Sequence, residues 1–255
     1  MGTCIDLTGK VVVVTGGNGG IGLGLAKGVA EAGARVVIMG RNQQKISSAL
    51  ETINEVGVGA VGLEVDVSDE ESIVTGFQAA REAFGRVDAL FANAGVSSGR
   101  VNFVDTKVDI WNSVLQTNLI GAVLCMREAA KIMIDQGDGG SLVAVSSVSA
   151  IHGAAGNIPY AASKTALLGV VRALAVELAR YKIRVNSLLP GWIETEMTAP
   201  LQGHEKFMSA TLARTPARRW GTPDDFKSVG AFLADPHSIY HTGDTMVVDG
   251  AYSIF

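Results

Sequence analysis

Val11 to Val14 is a short, unbroken run of β-branched residues that ends in Thr15 and a burst of glycines, and residues 21–32 then carry the apolar spacing of a helix. A buried strand that feeds a helix through a tight turn is a strong constraint, because parallel strands pair only through such crossovers. The alternation runs the length of the chain. Further strands are predicted at 35–39, 60–65, 89–92, 141–145, 184–188 and 245–248, and helices at 43–56, 70–84, 111–135, 160–180 and 224–233. Residues 191–215 read as a looser, variable segment. Seven strands separated by helices predict an α/β fold built on one doubly wound parallel sheet with helices on both faces. No linker or internal repeat divides the chain, so residues 1–255 are expected to form one domain. In such sheets ligands bind beyond the carboxyl ends of the strands, where the strand order reverses.

Thr15-Gly16-Gly17-Asn18-Gly19-Gly20-Ile21-Gly22 lies at the first of these ends. Glycines let a diphosphate approach the backbone, and the helix that follows offers free N–H groups and the positive end of its dipole. The spacing fits a Rossmann-type dinucleotide turn in two registers, Gly17-x-Gly19-x-x-Gly22 and Gly16-x-x-x-Gly20-x-Gly22. At the end of the second strand, about 20 residues on, an NAD site ordinarily carries a carboxylate for the adenosine ribose. Here the chain reads Met39-Gly40-Arg41-Asn42. With no acid to repel a 2'-phosphate and an arginine able to pair with one, NADP is expected over NAD, although a solvated turn also accounts for Arg41.

Tyr160 and Lys164 are four residues apart and so share one helix face. An ammonium beside a phenol favours the phenolate and lowers a pKa of about 10 toward useful proton exchange. Spacing alone fits an ordinary amphipathic helix equally well. Ser146, Ser147 and Ser149 offer hydroxyls upstream, and His152, in a Gly/Ala-rich loop, reads as a pocket wall rather than a catalyst. Trp192, Met197, Phe207 and Met208 suit either a substrate pocket or packing.

Composition narrows the partners. With 47% hydrophobic and 18% charged residues the chain is expected to be compact rather than disordered. A net charge of −4 and no basic cluster beyond Arg218-Arg219 argue against nucleic acid. Cys4 and Cys125 are too few for a disulfide framework, and with His204, His237 and His241 scattered no metal site is expected. Met1 to Asp6 lacks an apolar signal segment, and no run approaches the roughly 20 residues of a membrane span, so the cytoplasm is the expected location.

The order of these motifs resembles the short-chain dehydrogenase/reductase family over nearly the full length. The glycine stretch is similar to that family's Thr-Gly-x-x-x-Gly-x-Gly, which selects the register of Gly16, Gly20 and Gly22. Asp66-Val67 resembles its adenine contact, and Asn93-Ala94-Gly95 its motif after the fourth strand. Asn118 falls at its catalytic asparagine, Ser147 lies at its usual thirteen positions before Tyr160, and Tyr160-x-x-x-Lys164 matches its active-site motif. Asn186 and Pro190-Gly191, followed by Ile193 and Thr195, resemble the segment that flanks the nicotinamide. Two positions depart from the pattern: Asn18 stands where some NADP-using relatives carry a basic residue, and Ala251 where many have a second glycine.

The resemblance implies hydride transfer between a nicotinamide cofactor and a carbonyl or secondary alcohol. It implies that Tyr160 moves the proton, Ser147 steadies the substrate oxygen, Lys164 lowers the tyrosine pKa and binds the nicotinamide ribose, and Asn118 holds a helix distortion and a water. The Gly40-Arg41-Asn42 turn and the stretch from Thr215 to Gly221 resemble sugar-acid members. A 3-oxoacyl-carrier-protein reductase, which needs a basic docking surface, is one alternative. A non-catalytic nucleotide-binding redox sensor is the other, and it has no need of the serine, tyrosine and lysine. A homotetramer or homodimer is implied, built on the long helices and the last strand.

Overall fold

The valines of β1 (Val11–Thr15) divide between two cores: Val11 and Val13 pack on one side of the sheet, Val12 and Val14 on the other. Strand side chains alternate faces with period two, so a run that is apolar at every position requires cover on both sides. The computed structural model, which describes residues 5–56 and 59–255, provides that cover. The expectations resting on Met1 to Cys4 lie outside the described residues. β1, β2 (Arg35–Gly40), β3 (Ala60–Glu64), β4 (Ala89–Ala92), β5 (Gly140–Val145), β6 (Ile183–Pro190) and β7 (Thr245–Val248) form one sheet in the order β3-β2-β1-β4-β5-β6-β7, with every neighbouring pair parallel. α1 (Gly20–Glu31), α2 (Gln43–Asn54) and α9 (Lys227–Ala234) cover one face. α3 (Glu70–Phe84), α5 (Ala122–Gln136) and α6 (Ile158–Leu178) cover the other. The strand order reverses between β1 and β4, which opens a crevice at their carboxyl ends.

Several predicted elements differ from the observed ones. The single helix expected over 111–135 is α4 (Val108–Leu115), a π-helical turn (Gln116–Gly121) and α5. At Gly121 a Cβ would lie 2.2 Å from the Val67 carbonyl oxygen, so the widened turn seats the chain directly on the segment after β3. The helix expected over 43–56 stops at Asn54. The segment expected to be loose, 191–215, contains α7 (Ala199–Gln202) and α8 (Glu205–Arg214). Its order comes from aromatic packing at long range. Trp192 stacks on Trp220 at 5.5 Å, Phe207 meets Trp192 edge-on at 5.0 Å, and Trp220 Nε1 donates to Thr211 Oγ1 at 2.9 Å.

Ala251 sits where the backbone is left-handed, with φ at 70°. That explains why a glycine suits this position, since an L-residue there costs about 1–2 kcal/mol. Among the described residues no helix is long and apolar enough to cross a membrane.

Candidate active site

A cleft of about 700 Å³ runs along the carboxyl edge of the sheet, from the glycine turn and Arg41 at one end to Tyr160 and Lys164 at the other. Its floor is built by a clasp between β1 and β4. Thr15 Oγ1 accepts from the N–H groups of Asn93 and Ala94 at 3.0 and 3.1 Å, and Asn93 Nδ2 donates back to the Thr15 carbonyl at 2.9 Å. The turn is compact because of its glycines. Gly16 and Gly20 have positive φ, and a Cβ on Gly22 would lie 2.4 Å from the Gly16 carbonyl oxygen and 2.5 Å from Asn93 Nδ2. Gly19 has open space instead. Gly22 is common to both registers, and Gly17 is also close-packed, a Cβ there falling 3.0 Å from the Val14 carbonyl oxygen. α1 has no capping side chain and no acid in its first turn, so its N–H groups and the positive end of its dipole are left for an anion. A dinucleotide diphosphate fits such a cradle.

At the adenosine end, Arg41 is largely exposed, and its Nη1 is 3.8 Å from an Asp66 carboxylate oxygen. Burial pushes the Asp66 carboxyl up, but the Ser68 N–H at 2.9 Å, the Ser68 hydroxyl at 2.7 Å and the nearby Arg41 more than offset this and hold it below its ordinary value. Asn18 reaches over the end of β2, where a Cβ on Gly40 would meet its Oδ1 at 2.7 Å.

At the other end, α6 starts with Pro159 in its first turn and carries Tyr160 and Lys164 on the face toward β5. Lys164 is buried, and its Nζ donates to the Val145 carbonyl at 2.8 Å. The hydroxyl of Ser146 donates to the Lys164 carbonyl at 2.7 Å and so serves to dock the helix. Ser147 Oγ accepts from the Ser149 N–H at 3.1 Å, which leaves its own O–H to donate. Asn118 lies in the π-helical turn, fully buried. Its Oδ1 accepts from the Val96 N–H at 2.8 Å, and its Nδ2 donates to the Val96 carbonyl at 2.9 Å and to Ser163 Oγ at 3.2 Å. A Cβ on Gly95 would lie 3.3 Å from Asn118 Oδ1 and 3.4 Å from Lys164 Nζ, so that glycine lets the three segments meet.

Burial pushes the Tyr160 phenol above its ordinary value, and hydrogen bonding to Ser147 acts against the rise. Burial also pushes Lys164 down to about 8. The lowering of Tyr160 by Lys164 that their spacing predicts is therefore absent from this geometry. Lys164 turns its Nζ to Val145 and sits 5.6 Å from the tyrosine ring centroid, and burial is the largest influence on both groups. A phenol held protonated suits proton donation.

Gly16, Asn18, Gly20, Ile21, Arg41, Asp66, Val67, Asn93, Ala94, Gly95, Tyr160, Lys164 and Thr195 all line the cleft. Gly22, Asn118, Ser147, Pro190, Gly191 and Ile193 stand behind or beside it. Gly191 packs on Asp249, where a Cβ would come within 2.6 Å, and Ile193 is buried in a bridge to Gly221. Thr195 covers the glycine turn, its Cγ2 lying 3.2 Å from where a Gly20 Cβ would be. Lys45 and Glu196 also line the cleft and form an ion pair across it. Sequence reasoning missed both; the signal for Lys45 was its place four residues beyond Arg41, while nothing local marks Glu196. Of the proposed pocket residues, Met197 lines the cleft, whereas Trp192 and Phe207 are in the aromatic cluster.

A family model described as enoyl-(acyl carrier protein) reductase matches residues 16–253. Over 246 residues the chain is 37% identical to the 3-oxoacyl-(acyl-carrier-protein) reductase FabG of Chlamydia pneumoniae, covering 96% of this chain and 98% of that one. It is 34% identical to the 2-dehydro-3-deoxy-D-gluconate 5-dehydrogenase of Dickeya dadantii, covering 97% and 96%. Among solved structures, a gluconate 5-dehydrogenase from Burkholderia cenocepacia J2315 in complex with NADP and tartrate matches with a TM-score of 0.92 at 32% identity, covering 98% and 97%.

Proposed function

The chain belongs to the short-chain dehydrogenase/reductase family, oxidoreductases of CH–OH and C=O groups, and from that premise we propose that Ser147, Tyr160 and Lys164 are its catalytic residues and NADP its preferred cofactor. The observation that carries the reading is the convergence of a protonated phenol, a serine hydroxyl with a proton to donate and a buried ammonium at the end of a cleft whose other end suits a diphosphate. When bound, the nicotinamide supplies or accepts the hydride. In carbonyl reduction Tyr160 gives its proton to the substrate oxygen, and Ser147 donates a hydrogen bond to that oxygen as negative charge develops. Lys164, fixed by Val145, offers its remaining N–H groups to a ribose at the cleft wall and holds positive charge near the phenol. Asn118 keeps the π-helical turn against Val96 and so keeps Gly95 close to Lys164. Arg41, with no acid on its own turn, supports NADP over NAD, as does NADP in the solved relative from B. cenocepacia.

For the substrate, a polyhydroxy acid or polyol is favoured. Among the described residues, His152 Nε2 and Trp192 Nε1 are buried without hydrogen-bond partners, and both rings lie edge-on to Tyr252 outside the cleft lining. The Arg214 guanidinium lies 4.4 Å over the ring of Tyr252, which follows β7. The likeness to the 2-dehydro-3-deoxy-D-gluconate 5-dehydrogenase of D. dadantii and to the gluconate 5-dehydrogenase of B. cenocepacia supports that class. A 3-oxoacyl-carrier-protein reductase is the second reading, supported by the likeness to the C. pneumoniae enzyme. The retained tyrosine and lysine argue against a non-catalytic sensor. We also read the assembly as a homotetramer and the location as the cytoplasm.

NADPH and NADH turnover over a panel of sugar acids, polyols, ketones and 3-oxoacyl thioesters tests the reading. Tyr160→Phe is expected to lower turnover by about 10²–10⁴-fold, the range for a lost general acid, with NADPH affinity unchanged. Full turnover in that variant would sink the assignment, and activity confined to 3-oxoacyl thioesters would replace the substrate class.

A further inference from the structure

We propose that Lys45 is a second ligand for the 2'-phosphate of NADP, held in reserve by an ion pair with Glu196 that the phosphate displaces. The inference rests on the NADP reading above but concerns residues that reading does not use. Lys45 is in the first turn of α2, where Asn42 Oδ1 accepts from its backbone N–H at 2.9 Å and fixes the start of the helix. Arg41 precedes that cap, so the two cations rise from one turn at the end of β2, where the 2'-position of an adenosine ribose lies in this fold. Both line the cleft.

Each cation is held by a carboxylate that can let go. Arg41 is 3.8 Å from Asp66, with its side chain 68% exposed, and Lys45 meets Glu196 with the two side chains 46% and 83% exposed. Ion pairs this open to water are weak. A phosphate monoester brings close to two negative charges and three acceptor oxygens, so it outcompetes a single solvated carboxylate. Glu196, once released, loses little, because it already faces solvent. Glu196 follows Thr195, which packs on Gly20 of the diphosphate turn, so the pair ties the adenosine end of the cleft to its lip. NAD, with a 2'-hydroxyl, has no charge to exchange and leaves the pair intact.

Dissociation constants of the full chain for NADPH and NADH, read from nicotinamide fluorescence, test this without turnover. Lys45→Met is expected to weaken NADPH about tenfold, the equivalent of one charge-assisted hydrogen bond, and to leave NADH within about twofold. Glu196→Gln is expected to tighten NADPH about two- to fivefold by removing a competitor worth up to about 1 kcal/mol, an effect that shrinks at high salt. A Lys45→Met variant that weakens both cofactors equally, or neither, overturns the inference. If the wild type prefers NADH, the cofactor reading falls on its own, and the change in the NADPH-to-NADH ratio at Lys45 still decides this one. Unaltered melting temperatures confirm that both exposed substitutions leave the fold in place.

Discussion

Lys164 carries an ammonium in a buried setting where its visible partner is a backbone carbonyl. Burial lowers its folded-state pKa from 10.5 to about 8, so between those values the unfolded chain binds the proton more tightly. The cost of the buried charge is therefore present in full below pH 8, and stability rises as pH climbs from about 8 to about 10.5. Lys164→Met removes this titration but leaves the Val145 carbonyl unpaired by the same amount at every pH. The stability of the wild type minus that of the variant, from urea unfolding, is expected to grow by roughly 2–3 kcal/mol between pH 7 and pH 10. A flat difference would mean that water reaches the ammonium. The same scale separates Ser146 from Ser147. Thirteen-residue spacing and family resemblance favour Ser147, but in local sequence the two are alike; it is the carbonyl of Lys164, reached by folding, that engages Ser146.

Between elements, α1 and α9 approach so closely that two glycines on one helix face the backbone of the segment opposite. A Cβ on Gly24 would lie 1.9 Å from the Pro223 carbonyl oxygen, and one on Gly28 would lie 2.1 Å from that of Lys227. Backbone atoms in a packed pair cannot step aside as a side chain tip can. Gly28→Ala is expected to lower stability by at least about 2 kcal/mol, within the usual range for overpacking. Gly203→Ala, with an ordinary φ of −74° and open space around it, should stay within about 0.5 kcal/mol. Denaturation midpoints of the two variants check this, and an equal response would mean that α9 yields. Helical spacing gave no warning of the break at Asn118. Its cause is the Val96 backbone, 22 residues away, which takes up both ends of the amide.

For the whole molecule, large apolar side chains stand in water on the surfaces where the family resemblance puts subunit contacts. Val176 on α6 is 82% exposed, and Tyr240 and Phe255, on segments flanking β7, are 101% and 71% exposed. Light scattering is expected to give four times the 26.5 kDa chain mass, and Val176→Glu to shift the population toward smaller species. A stable wild-type monomer would overturn the tetramer. At this scale the sequence by itself determined the alternation of strands and helices, the cover on both faces of the sheet and the glycine-rich turn after the first strand, because each follows from side-chain periodicity or backbone freedom within a few residues, while the register of that turn came from the family resemblance. Only the tertiary structure decided why Gly22 has no side chain, which serine docks α6, what orders 191–215, and that Lys45 faces Glu196, 151 residues further along. Those depend on which distant segments the strand order brings to one edge of the sheet, and local spacing carries no record of a partner supplied by the far side of a cleft.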